Sequence, residues 1–539
     1  MSPAARRARP DGSTASSADA QRPKRGTPPR RRRLLMYLRA PLARLHPVRT
    51  LVAAAMLAST LIGTTQQPAI QSRSGPAAEQ PARAGKSSAA APVIRWTLTR
   101  GDERAQLTRQ RNLKPRRARS AFGTRPRAGD LGIDMSRRGQ EFVGVGAALT
   151  ESSAVLLSSL PKPARAQVLE DLFHPTRGAG ISLLRVPLGA SDFALADYTY
   201  NDLPAGSTDP QLRNFSMQRD FTHVLPVLAE ATRINPDLQV MLTPWSAPAW
   251  MKSSGSTHGG KLLSRWESVY AEYLARSAAG FHQNGIRVAA LSVANEPGYA
   301  TADYPSMWLG TAQQVRLGIL TRKALDSRGL HEVDLLALDH NWSDADTALR
   351  IVSQAGGAYA GAAFHCYDGD VSAQAKIPPA TAGVWTTECS GGDWATSYPD
   401  NLAWGATNML IGALRNGSSA VMWWNIALDP DHGPRNGGCQ DCRGVITVDP
   451  TTGQVTHNVE YHLLAHAGRF IPRGSVRVGS AARARSGVDS VAFHTPDDRI
   501  VLLALNPAGT TRRILIRHNG REVRQAIPAR SLATFSWPR

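Results

Sequence analysis

Residues 264–297 read SRWESVYAEYLARSAAGFHQNGIRVAALSVANEP. In the first part, 264–284, Trp266, Val269, Tyr270, Tyr273 and Leu274 fall at helical spacing, which predicts a helix with one apolar side. Asn284-Gly285 breaks it. The run 289–294 is then almost wholly apolar. That suits a parallel strand buried on both faces better than a strand with one wet face. It stops at Asn295-Glu296-Pro297, so a carboxylate follows directly on a buried strand, and Pro297 cannot continue the ladder.

The same unit recurs along the chain. Apolar runs at 142–149, 181–188, 239–243, 288–294, 333–338, 362–365, 383–387 and 420–424 each lead into a helical or loop segment. The stretches 221–234 and 401–415 repeat the helical spacing, and Arg328-Gly329 supplies another breaker. Eight β/α units in about 330 residues predict an α/β fold of the (β/α)8, or TIM-barrel, type. A doubly wound open sheet would carry a glycine-rich phosphate loop after its first strand. Gly144 and Gly146 lie inside the first run, and no such loop follows.

The flanks read differently. An alternating run at 93–99 and β-type segments at 475–478, 488–494, 500–506, 512–517 and 531–537 predict one all-β side domain, a β-sandwich built from both chain ends. The expected order is a basic region with a signal peptide or anchor (1–63), a linker rich in Ala, Pro, Gln and Ser (64–92), N-terminal strands of the side domain (93–138), the barrel (139–469) and the C-terminal β-sandwich (470–539).

Charge is distributed in the same uneven way. Residues 1–130 hold 27 Lys and Arg against 6 Asp and Glu, and the remainder holds 36 of each, so the whole excess of +21 belongs to the N-terminal region. A nucleic-acid-binding role needs a basic face on a fold, and none is expected here. The apolar run 51–63 follows Arg39, Arg44 and Arg49. It is short for a membrane span and fits a signal-peptide core, with Met36 as an alternative start. The chain is therefore expected to be secreted, or loosely tied to membrane or wall by an uncleaved N-terminal segment. Cys439 and Cys442 form a C-x-x-C pair, a disulfide candidate in an exported chain. Cys366 and Cys389 sit in apolar segments and read as buried free thiols.

Active sites of (β/α)8 barrels lie at the C-terminal ends of the strands. The fourth run ends at Glu296, and the seventh ends at Glu388-Cys389-Ser390-Gly391-Gly392. A glutamate set directly after a buried strand is costly unless it is paired or used. Two carboxylates facing each other across a barrel mouth are the equipment of retaining glycoside hydrolysis. No two-His zinc helix or EF-type calcium loop is present; His457 and His462 are five apart. No cofactor and no metal are expected.

The blocks GVGAALTESS (144–153), LRVPLGASDFALADYTYN (184–201), LTPWSAPAWMK (242–252), ANEP (294–297), HCY (365–367), TTECSG (386–391) and WWNIALD (423–429), in that order, resemble glycoside hydrolase family 30, which includes the glucosylceramidases. The resemblance runs from about Trp96 to the C-terminus. It implies Glu296 as acid/base and Glu388 as nucleophile. It implies Arg185 below the nucleophile, Asp192 and Trp245 on sugar hydroxyls, and Trp424 as a further ring face. It also implies Asn295 on the 2-hydroxyl, Tyr367 on the nucleophile and His365 lining the site. The expected substrate is a β-linked glycan or glycolipid, with glucosylceramidase-type β-glucosidase activity first and endo-β-1,6-glucanase or β-xylosidase activity as alternatives. A non-catalytic glycan-binding wall protein is the reading from another class. The loop 429–441, with His432 and Arg435, does not align with human-type glucosylceramidases and leaves the aglycone open.

Overall fold

The computed structural model describes residues 92–118, 130–378, 383–481, 483–484 and 486–539. The expected leader 1–63 and the linker, apart from Pro92, lie outside the described residues.

Eight parallel strands close into a barrel: β1 (Gly144–Ala148), β2 (Leu183–Pro187), β3 (Gln239–Thr243), β4 (Val288–Ser292), β5 (Asp334–Asn341), β6 (Gly361–His365), β7 (Val384–Glu388) and β8 (Ser418–Trp423). β8 pairs with β1 and β4 with β5, so each strand has two neighbours and the sheet has no edge. The helix expected at 264–284 spans Glu267–Gln283 behind a short 3₁₀ turn. The one expected at 401–415 runs from Tyr398 with a π-helical segment, Ala406–Gly412, in its middle.

Side chains alternate along each strand, and this layers the barrel interior. Leu183, Met241, Ala290, Leu336, Ala363, Trp385, Ala420 and Met422 form one buried apolar cluster drawn from seven strands. Two residues further along five of those strands stand Arg185, Thr243, Ser292, His365 and Thr387, all buried and all polar. An apolar plug thus carries a polar layer directly above it, on the side of the strand C-termini.

The side domain is a sandwich. Its larger sheet runs Thr108–Arg109, Arg95–Arg100, Ser531–Pro538, Arg499–Asn506, Asp489–His494, Val476–Gly479, Asp134–Glu141, and a four-stranded sheet holds Arg512–His518 and Arg521–Ile527. Trp96, Leu502, Phe535, Ile514, Ile516 and Ile527 fill the space between. The larger sheet is seated on the barrel through His466, on the helix Val459–Gly468. Its Nδ1 meets Thr534 Oγ1 at 2.8 Å and its Nε2 meets Thr99 Oγ1 at 2.9 Å.

Two expectations change. Cys366 and Cys389 are joined in a disulfide rather than free. β6 and β7 pair with His365 opposite Glu388, so the next residue on each strand is a neighbour, with 5.3 Å between the Cα atoms. The strands Asp134–Glu141 and Arg521–Ile527 were not expected as such, and both are rich in charged residues.

Candidate active site

The polar layer is organised by a residue that the sequence reading passed over. Asp339, at the end of β5, is fully buried. Its carboxylate accepts from Arg185 Nη2 (2.8 Å), Ser292 Oγ (2.7 Å), Thr387 Oγ1 (2.7 Å) and Thr243 Oγ1 (3.2 Å), and meets His365 Nε2 at 3.1 Å. Burial opposes ionisation of this group, but Arg185 and His365 outweigh it and hold the carboxyl far below the usual range. The backbone is strained to place it. Leu338 and Asp339 have φ of 72° and 57°, and the β5–β6 register shifts there. Glu296, at 43°, is the other strained acidic residue of the site, and its N–H donates to the Asp339 carbonyl (3.0 Å).

The two glutamates stand on this layer. Glu388 pairs with Arg185 Nη1 and accepts from the Tyr367 hydroxyl at 2.9 Å. Burial pushes its carboxyl above the ordinary glutamate range, and the charges of His365 and Arg185 offset that only in part. Glu296 Oε1 lies 3.1 Å from His365 Nδ1 and 3.8 Å from His340 Nε2. Here burial also favours the neutral acid, but the bond to His365 and its charge win, and Glu296 lies below its ordinary range. Against the cost of burial, the charge of Glu388 and the bonds to Asp339 and Glu296 push His365 up to about 9. Oxygens of Glu296 and Glu388 and a His365 nitrogen all lie within 4.8 Å of one another. This is the trio whose spacing could admit a cation among the described residues, and both imidazole nitrogens are already hydrogen-bonded.

Above them opens a cleft of about 510 Å³. Trp245 and Trp424 form one wall, stacked at 5.0 Å between ring centroids, with the Arg185 guanidinium 4.9 Å from the Trp245 ring centre. Asn295, held by Arg185 Nη2 at 2.7 Å, borders the same space. Asp192 enters from the loop after β2; burial, then the charges of Glu388 and Glu296, raise its carboxyl well above the usual range. Tyr299 and Trp394 stand on the rim, 48% and 56% exposed, well above what core aromatics show.

Residues 142–471 match the model of the glycosyl hydrolase family 30 TIM-barrel domain, and 474–535 match the family 30 beta sandwich domain. The chain belongs to glycosyl hydrolase family 30. Among its relatives are the endo-1,6-beta-D-glucanase neg1 of Aspergillus fumigatus, 29% identical over 74% of this chain and 85% of that one, and the endo-1,6-beta-D-glucanase of Neurospora crassa, 30% identical over 75% and 86%. The lysosomal acid glucosylceramidase of Mus musculus is 27% identical over 76% and 83%. Among solved structures, the endo-beta1,6-glucanase BT3312 superposes with a TM-score of 0.75 at 25% identity, covering 83% of this chain and 99% of that one. The family 30 membership carries the coarse activity with it: this is a glycoside hydrolase with a barrel and a β-sandwich.

Within this family 30 site the structure gathers Glu296, Glu388, Asp192, Trp245, Asn295, Tyr367 and Trp424 around one cleft, and Cys439 and Cys442 on its edge are bonded to each other. Arg185 lies beneath Glu388, the position the resemblance implied, so it supports the nucleophile rather than touching substrate, and His365 differs from the expectation of a residue lining the site. Both are fully buried beneath the glutamates, because each lies in the inward polar layer rather than past the strand end. Asp339, His340, Tyr299, Tyr304 and Trp394 were not foreseen. Asp339 had a readable signal: like Glu296 and Glu388, it is an acidic residue directly after an apolar run.

Proposed function

We propose that this family 30 enzyme is a retaining β-glucanase acting on β-1,6-linked glucan, by attack of Glu388 on the anomeric carbon with Glu296 as acid and then base. The observation that carries the reading is the approach of the two carboxylates within 4.8 Å above a shared polar layer. Retaining enzymes hold their carboxyl pair about 5–5.5 Å apart, and inverting ones need room for a water between. The choice of glucan is supported by the fungal 1,6-glucanase relatives, at 29–30% identity against 27% for the mouse glucosylceramidase, and by the superposition on the endo-beta1,6-glucanase BT3312. The open rim with exposed Tyr299 and Trp394 suits a sugar chain lying across it. Two disulfides support an exported enzyme.

In the first step Glu388 forms an ester to the sugar while Glu296 protonates the departing oxygen. The proton comes from the His365–Glu296 hydrogen bond. With Asp339 accepting from Nε2, the imidazole can pass its Nδ1 proton across 3.1 Å and remain a neutral, correctly oriented ring. Esterification removes the charge on Glu388, which lowers the proton affinity of both His365 and Glu296 and lets Glu296 deprotonate the incoming water. Water attack releases the sugar with its β configuration.

A panel of linear β-1,6-glucan, β-1,3-glucan, xylan and glucosylceramide tests the reading, with product size and anomeric form as readouts. The expected result is 1,6-linked oligosaccharides whose new ends are first seen as the β-anomer. Preferential cleavage of glucosylceramide, or initial α-anomer, overturns it.

A further inference from the structure

The C-x-x-C motif singled out in the sequence has no part in the chemistry above, yet its disulfide lies on the cleft wall. Cys442 is buried in one cluster with Phe193, Trp245 and Trp424, and Cys439 packs against that cluster. The loop carrying them follows β8 and is stitched to its neighbours on both sides. Toward the β2 loop, the Asn436 N–H donates to the Asp192 carbonyl (2.8 Å) and Asn436 Nδ2 donates to Asp197 (2.7 Å). Toward the β7 loop, Cys442–Arg443 pairs with Gly391–Gly392, and the Asp393 N–H donates to the Asp441 carbonyl (2.8 Å). Between these anchors the bridged turn brings Gly438 against Asp192 so closely that a Cβ there would lie 2.7 Å from the Asp192 carbonyl oxygen, 2.9 Å from Asp192 Oδ2 and 2.9 Å from the Phe193 ring. The other Asp192 oxygen, Oδ1, is buried and has no hydrogen-bond partner. An unpaired buried polar atom is costly, so a side chain held this way awaits a ligand that bonds it.

We propose that the disulfide-bridged turn 437–442 is a specificity element of the sugar site: it presses Gly438 on Asp192, fixes that carboxyl to read one ring hydroxyl, and closes the pocket to sugars substituted at that hydroxyl. The proposal rests on the glycosidase reading of the cleft. Its ligand is a β-glucosyl unit free at the hydroxyl that meets Asp192 and linked onward only through a position facing the open rim. The bridge acts as a positioning device, since each sulfur is bonded to the other and neither is a free thiol. Gly438 is glycine because a side chain there would displace Asp192, backbone and carboxyl together.

The test uses full-length protein with both cysteines of the motif changed, Cys439→Ser with Cys442→Ser, and leaves Cys366–Cys389 intact. With an aryl β-glucoside, KM should rise about tenfold and kcat stay within about threefold, the pattern of lost uniform binding through one hydrogen bond. Gly438→Ala keeps the bridge and should give the same split; it carries the test if the double variant melts at a lower temperature or fails to fold. Added to Asp192→Asn, the cysteine changes should cost little more, because both act through one contact. Aryl glycosides bearing a second glucose on O3, O4 or O6 complete the panel: the bridged enzyme should refuse at least one that the unbridged enzyme accepts. Unchanged KM in both variants, or fully additive losses with Asp192→Asn, overturns the proposal. Labelling of Glu388 by a cyclitol epoxide separates this outcome from failure of the glycosidase reading. Labelled wild-type protein with an unchanged panel sinks only the specificity role, whereas unlabelled wild-type protein sinks the reading beneath it.

Discussion

Asp339 touches no part of the cleft, yet it meets both cations of the site, Arg185 and His365. Removing its charge should unsettle both. In Asp339→Asn, kcat should fall by about 100-fold, while circular dichroism stays native; a buried ion pair broken on one side leaves an uncompensated charge. The pH–rate profile gives a sharper test. Glu388 lies above its ordinary value of 4.5, so the acid limb should sit above that of an unperturbed glutamate. His365, pushed up to about 9, keeps its proton below that pH and loses it above, so the alkaline limb should fall near 9 and belong to the His365–Glu296 pair. In His365→Gln that limb should move to lower pH, and poor leaving groups should suffer more than good ones. A limb that stays in place means the proton is stored elsewhere. Addition of EDTA should leave the rate unchanged, since each step is supplied by side chains. At this scale the sequence was legible wherever a charge ends an apolar run, as at Glu296 and Glu388. Asp339 obeys the same rule, but Asp-His-Asn reads like the start of a loop, and only the strained backbone carries the strand through it.

The strands show what a pattern can and cannot carry. The eight barrel strands were visible because burial on both faces leaves near-continuous apolar runs. The strands Asp134–Glu141 and Arg521–Ile527 escaped because they pair along the side domain, where few of their residues are buried and charge masks the alternation. The disulfide Cys366–Cys389 was hidden for a different reason: it depends on register between β6 and β7, which spacing along the chain does not encode. Gly146 makes a measurable case at the element scale. It lies in β1, and a Cβ there would come 1.6 Å from the Leu183 carbonyl oxygen of β2. Gly146→Ala must push the two strands apart, and should cost about 3 kcal/mol in denaturant unfolding, at the upper end for overpacking. A midpoint equal to that of the wild type would show that the strands have slack.

At the scale of the whole molecule, barrel and sandwich meet at a buried imidazole. Burial and the neighbouring charges of His462 and Arg469 lower His466 from 6.5 to about 3. A histidine whose proton affinity is depressed by folding takes up its proton on unfolding, so stability rises with pH across that interval and is lost as pH falls from 6.5 toward 3. Carboxylates that are paired in the fold add to the acid loss, so the test is a difference. In His466→Gln the melting temperature should fall less steeply below pH 6 than in the wild type, and parallel slopes would remove His466 from the account.

The strand Ser531–Pro538 lies between Arg95–Arg100 and Arg499–Asn506, so the sheet that closes the side domain joins segments that the whole barrel separates along the chain. During synthesis the strand Arg95–Arg100 must wait, that edge unsatisfied, while every barrel strand is translated, until Ser531–Pro538 has been made. The barrel is therefore the first thing the nascent chain can complete, and the larger sheet of the sandwich closes after it. A chain stopped before Ser531 would have its catalytic residues in hand and a gap in the middle of its side sheet, a target for quality control rather than a slower enzyme.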